Sequence, residues 1–254
     1  MALSFEAFAL VPLLAPAYVF ATRRQRPSRA RATAAIAALG LIFAAFVTEL
    51  QPLALHTFLW AHLLQNVVLA EWAPALLVLA VSPAIARRAD GFVLVRPLVA
   101  LPLWIAVYLT WHLPWLYDYA LRHPHSLLHL EHVSYLAAGI VVWWPVIHGR
   151  YPAGAKALYM FAAFVLASPL GLVLALVPSP IYSFYENAPR TWGPSPLGDQ
   201  QLAGVTMALE QAVVFAAVFA AFLRRFFQEE QLEGAFDELR RTSRATAGSA
   251  RPRH

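Results

Sequence analysis

The chain has 254 residues, of which 60% are hydrophobic and 13% charged, with 19 Lys and Arg, 14 Asp and Glu, 9 His and no Cys. A soluble domain is about half apolar and about a quarter charged, so this composition excludes an ordinary soluble protein, and it is too apolar for a disordered one. The lack of cysteine excludes disulfides, thiolate metal sites and CxxC redox chemistry. The net charge of +5 resides in short basic tracts between apolar stretches, which is a membrane pattern and gives no nucleic-acid surface.

Apolar stretches of about 20 residues, enough to cross about 30 Å of hydrocarbon, recur along the chain. They predict spans at 5–22, 33–51, 58–82, 93–113, 127–148, 155–177 and 200–223. The first has no basic segment ahead of it and reads as an anchor, not a cleavable signal peptide. Arginine tracts follow the odd-numbered spans: Arg23 to Arg31, then Arg87, Arg88 and Arg96, then Arg150 with Lys156, then the C-terminal tail. The opposite side carries only Arg122 and Arg190. Basic residues near span ends mark the cytoplasmic face. The expected fold is therefore an all-α, seven-transmembrane helix bundle over residues 1–225, N-terminus outside and C-terminus cytoplasmic. Residues 226–254 form a tail, amphipathic over 226–241 and Ser/Thr/Ala/Arg-rich and unstructured from 242.

The topology sorts the histidines. His56, His62, His112, His123, His125, His129 and His132 all fall on the outer side, whereas His148 lies near the inner surface and His254 ends the tail. His123 and His125 flank Pro124 and equally suit a solvated loop. His129 and His132 are three apart at the start of the fifth span and share a helix face. With His62 one turn into the third span and His112 at the end of the fourth, imidazoles from three helix ends reach one level. Neutral imidazole binds copper, zinc or iron, and ionisable groups at such depth are functional candidates. Met160 and Met207 lie far from this layer, so a metal there has nitrogen and oxygen ligands.

Two acids lie deeper. Glu71 is nine residues beyond His62, about 13.5 Å further in at helical rise, and Glu210 is about ten residues into the seventh span. They read as either a satisfied contact between helices or a proton or ion relay, with Gln65, Gln211 and Trp72 as candidate partners. Trp60, Trp111, Trp115, Tyr117, Tyr119, Tyr182, Tyr185 and Trp192 are expected to form an outer aromatic belt. Pro74, Pro114 and Pro145 are expected to bend or end helices, and Asp199 to cap the seventh. No P-loop, dinucleotide fingerprint or nucleophile elbow is present, so enzyme chemistry finds no support.

Three blocks together resemble the polytopic CtaG family of cytochrome c oxidase assembly factors. They are His62-Leu-Leu-Gln65-Asn66 with Ala73-Pro74 and Ser82-Pro83; Trp111-His112-Leu-Pro114-Trp-Leu-Tyr117-Asp118 with His129-Leu-Glu131-His132 and Trp143-Trp144-Pro145; and Pro178-Ser-Pro180-Ile-Tyr182 with Trp192-Gly-Pro to Gly204. The resemblance implies help in maturing a caa-type haem-copper oxidase in a bacterial plasma membrane, with copper as the metal and an oxidase subunit and the lipid bilayer as partners. On the family's motif positions His62, His112, His129 and His132 become the candidate ligands. His56, Gln65, Asn66, Tyr117, Asp118 and Glu131 become auxiliary groups. Where some members carry a second histidine four residues after the first, this chain has Asn66, a poorer transition-metal ligand. Two other readings stay open: a metal-free scaffold for an oxidase subunit, and a haem-binding redox protein with two of these histidines as axial ligands.

Overall fold

A computed structural model describes residues 5–23, 26–89 and 91–249. Among them every regular element is helical: α1 Phe5–Thr22, α2 Arg29–Val47, α3 Leu50–His56, α4 Leu59–Val67, α5 Ala73–Ala80, α6 Pro83–Ala86, α7 Pro97–Trp111, α8 Pro114–Arg122, α9 Leu127–Ile147, α10 Ala153–Leu176, α11 Ser183–Glu186 and α12 Pro196–Ser249. A π-helical turn, Val68–Trp72, fuses α4 to α5, and a 3₁₀ turn, Val93–Val95, precedes α7.

Each predicted span coincides with a helix. Five helical stretches are long and apolar enough to cross a membrane: Arg29–Val47, Leu59–Ala80, Leu127–Ile147, Ala153–Leu176 and the first part of α12. The bent pair α7 and α8 makes six if counted as one span. In α1 the apolar stretch is shorter, Ala9–Thr22. Large apolar side chains cover the outside, with Leu98 91%, Leu176 76% and Ile36 70% exposed, whereas His62, Glu131, His132 and Gln211 are buried. An apolar exterior around a polar interior is the inverse of a soluble protein and suits lipid, so the chain is a multi-pass membrane protein.

The helix breaks follow from the prolines. Pro74 has no amide hydrogen for the Ala70 carbonyl, and the helix answers with a wider turn in which the Ala73 amide donates to the Val68 carbonyl. Gly139 of α9 packs against Ala70 and Pro74 at this turn, where a Cβ would collide with both. Pro114 opens α8 and ends α7 just before it, giving a 70° bend at His112 and Leu113. Pro145 sits inside α9, two residues before its end. α10 and α12 meet through glycines: a Cβ on Gly204 would stand 2.5 Å from the Ala175 nitrogen and from the Gly171 carbonyl oxygen.

α12 corrects the expectation for the tail. It runs unbroken to Ser249, through the stretch from 242 expected to be unstructured, and residues 250–254 lie outside the described residues. Extending a helix already nucleated adds one hydrogen bond per residue, and the arginines and alanines there favour it.

Candidate functional site

The end of the bundle where α4 begins and α7 stops is held by two carboxylates that cap other helices. Asp199, in the first turn of α12, was expected to cap its own helix. Instead it reaches across to α4 and accepts from the Leu59 amide at 2.8 Å and the Trp60 amide at 3.1 Å, while pairing with Arg190 at 2.9 Å. Asp118 of α8 accepts from the Ser183 amide at 3.0 Å and the Phe184 amide at 3.1 Å, and so anchors α11. Donors at a helix start lack partners within the helix, so these carboxylates fix where α4 and α11 begin. His56 is exposed in the last turn of α3, away from this interior.

α4 then delivers His62 into the interior. Its Nδ1 lies 2.9 Å from the Tyr185 hydroxyl and 3.1 Å from the Tyr117 hydroxyl. Tyr185 donates its own hydrogen to the Ala54 carbonyl, so its oxygen accepts from Nδ1–H. The network thereby assigns the proton to Nδ1 and leaves Nε2 as a lone pair. That nitrogen stands 3.8 Å from Oε1 of Glu131 on α9. Asn66, one turn along from His62, donates to the same carboxylate oxygen at 3.0 Å. His132 follows Glu131 on α9, with its ring centroid 6.0 Å from that of His62 and its other side against Phe46 at 5.1 Å. His62, Glu131 and His132 are each no more than 1% exposed.

His112 is placed by the α7–α8 break. Its Nδ1–H donates to the Tyr108 carbonyl, one of the unpaired carbonyls at the end of α7, at 2.8 Å. Nε2 is therefore a lone pair, and it is buried without a hydrogen-bond partner among the described residues. Tyr117 lies between the two histidines, its ring centroid 5.2 Å from His62 and 5.9 Å from His112.

Other candidates fall elsewhere. His129, one turn before His132, is half-buried, with its ring 6.5 Å from that of exposed His125 at the loop edge. Gln65 donates to the Ala45 carbonyl at 2.7 Å and to Gln51 at 2.6 Å, tying α4 to α2 and α3 and not to Glu71. Among the described residues no three His, Cys, Asp or Glu side chains converge closely enough to hold a metal ion.

Of the expected outer aromatic belt, Tyr119 is 49% exposed, but Tyr117, Tyr182, Tyr185 and Trp111 are buried. Tyr182 and Tyr185, expected in an exposed belt, are each 2% exposed and pack on Tyr117. Burial pushes both phenols above their ordinary range, so they stay protonated and donate, Tyr182 to the His112 carbonyl and Tyr185 to that of Ala54. Their spacing of three after Pro178 and Pro180, facing a buried Asp118, was the available signal. Trp115 and Trp192 are exposed, at 68% and 61%.

The description of one known family, the cytochrome c oxidase caa3 assembly factors, matches residues 16–229. The chain belongs to that family. No curated protein and no solved structure matches it. The part that matches the caa3 assembly factors contains every residue of the histidine, tyrosine and carboxylate cluster and all of α2 to α11. The match ends in α12 just beyond its apolar portion.

Proposed function

We propose that the chain is a non-enzymatic assembly factor for a caa3-type haem-copper oxidase in a bacterial plasma membrane, crossing it seven times with its N-terminus outside. It carries copper as cargo and gives it up to an oxidase subunit on the way to the binuclear centre. The observation that carries this reading is His62 of α4, with its Nε2 3.8 Å from the Glu131 carboxylate of α9 and its ring 6.0 Å from that of His132. Two donors about 2 Å from one ion stand up to about 4 Å apart, and the 3.8 Å between His62 Nε2 and Glu131 Oε1 falls within that span. His62 and Glu131 are the proposed ligands already within one ion's reach; His132 is proposed to move onto the ion when it binds, and His112, on the far side of Tyr117, is a further imidazole on the ion's path. Tyr185 orients His62, and Asn66 orients Glu131. Outer-shell bonds of this kind hold a ligand's tautomer and direction.

That no three candidate ligands converge among the described residues favours the second reading, a metal-free scaffold for an oxidase subunit. The two separate in cells that depend on this chain for oxidase maturation. With His132→Ala at wild-type protein levels, the copper reading expects oxidase copper and activity to collapse. The scaffold reading expects both to be retained, and retention overturns the copper reading.

A further inference from the structure

Below the histidine cluster, Glu71 of the π turn and Glu210 of α12 meet, their carboxyl groups within hydrogen-bonding reach of each other. They are 1% and 8% exposed. The side chains bonded to the pair are neutral. Trp72 donates its indole hydrogen to Glu210 at 2.6 Å, and Gln211 of α12 lies 3.2 Å from both Glu71 and the Tyr108 hydroxyl of α7. Tyr135 of α9 and His112 face Glu71 across a small cavity. No lysine or arginine is buried among the described residues, so no cation offsets two negative charges here.

Two ionised carboxylates in contact present only acceptors to each other. The second oxygens of Glu71 and Glu210 indeed have no donor among the described residues. A proton between them turns that contact from repulsive to attractive. A second observation comes from the neighbouring amide: Oε1 of Gln211, in a side chain 0% exposed whose Nε2 lies 3.2 Å from Glu71, also has no donor among the described residues, so buried acceptors around the pair lack hydrogen. The π turn that brings Glu71 here is a feature found frequently at functional sites.

We propose that Glu71 and Glu210 form an intramembrane proton-binding pair, which shares one proton between its two carboxyl groups. Loading the pair adds one proton and no electron, so no oxidation state changes. The pair needs no copper, so its failure and the failure of the copper reading are separable.

The test is infrared spectroscopy of the metal-free full chain in lipid nanodiscs. A protonated-carboxyl carbonyl band is expected to persist at about pH 9, where exposed carboxylic acids are long ionised. Glu71→Gln and Glu210→Gln are each expected to remove it, because an amide supplies the missing donor. If a glutamine variant fails to fold, Glu210→Asp is expected to shift the band instead. A wild-type protein without the band at that pH, or a band indifferent to both Glu71 and Glu210, overturns the pair.

Discussion

Asp199→Ala tests the physical reasoning about how the site is held. The carboxylate receives three donors: the Leu59 and Trp60 amides and the Arg190 guanidinium. Losing a helix cap costs about 0.5–2 kcal/mol, and each buried donor left unpaired about 1–3 kcal/mol. Breaking a buried ion pair costs about 3–5 kcal/mol, toward the low end here because Arg190 keeps 11% of its side chain exposed to solvent. These overlap, and their combined effect is about 4 kcal/mol. At about 2–4 °C per kcal/mol for a chain of this size, the melting midpoint in detergent falls by roughly 8–16 °C. Asp199→Asn keeps one acceptor oxygen and is expected to lose about half as much. The eight tryptophans supply an emission signal for the melt. Because His62 lies three residues beyond Leu59, copper retention is expected to fall with stability. An alanine variant that melts within about 2 °C of wild type refutes the claim that Asp199 fixes the start of α4.

The remaining predictions concern the ligands, the packing and the topology. Tyr185→Phe removes the donor to Ala54 and the acceptor for His62 Nδ1–H, and is expected to weaken copper binding about 10–100-fold in a chelator competition; unchanged affinity would show that His62 needs no orienting hydroxyl. Asn66→His places an imidazole beside Glu131 and is expected to tighten copper binding about tenfold or more, whereas equal or weaker binding would argue against an ion at that carboxylate. Gly204→Leu drives a side chain into Gly171 and Ala175 and is expected to abolish recovery of folded protein; normal yield and melting would contradict the close approach of α10 and α12. The chain has no native thiol, so single cysteines report sidedness. His125→Cys is expected to react with an impermeant maleimide on intact cells, and Gly91→Cys, in open space, only after lysis. The reverse pattern would overturn the orientation.

The helices were legible because a lipid-crossing segment must be long and apolar whatever its neighbours are. Pro74 and Pro114 marked the breaks for an equally local reason, a missing amide hydrogen. The meeting of Glu71 with Glu210 was foreshadowed by depth alone, since helical rise converts residue count into height. Rotation about the helix axis was hidden. His129 and His132 share a face by spacing, yet α9 turns that face so that His132 is enclosed and His129 is left half-buried at the loop edge. Asp199 and Gln65 were misjudged because their partners lie on other elements, up to 140 residues away in the case of Asp199 and Leu59. Tyr182 and Tyr185 look like interfacial aromatics until their hydroxyl partners at His112 and Ala54 are known.

The central claim is that His62 and His132 hold copper. It is tested most directly by the copper content of the purified full chain after loading and desalting, beside a His62→Ala, His132→Ala double variant shown by its melt to be folded. The account predicts near-stoichiometric copper in the wild type and a loss of at least tenfold in the variant. Equal copper in the two proteins, or none in the wild type, would contradict it.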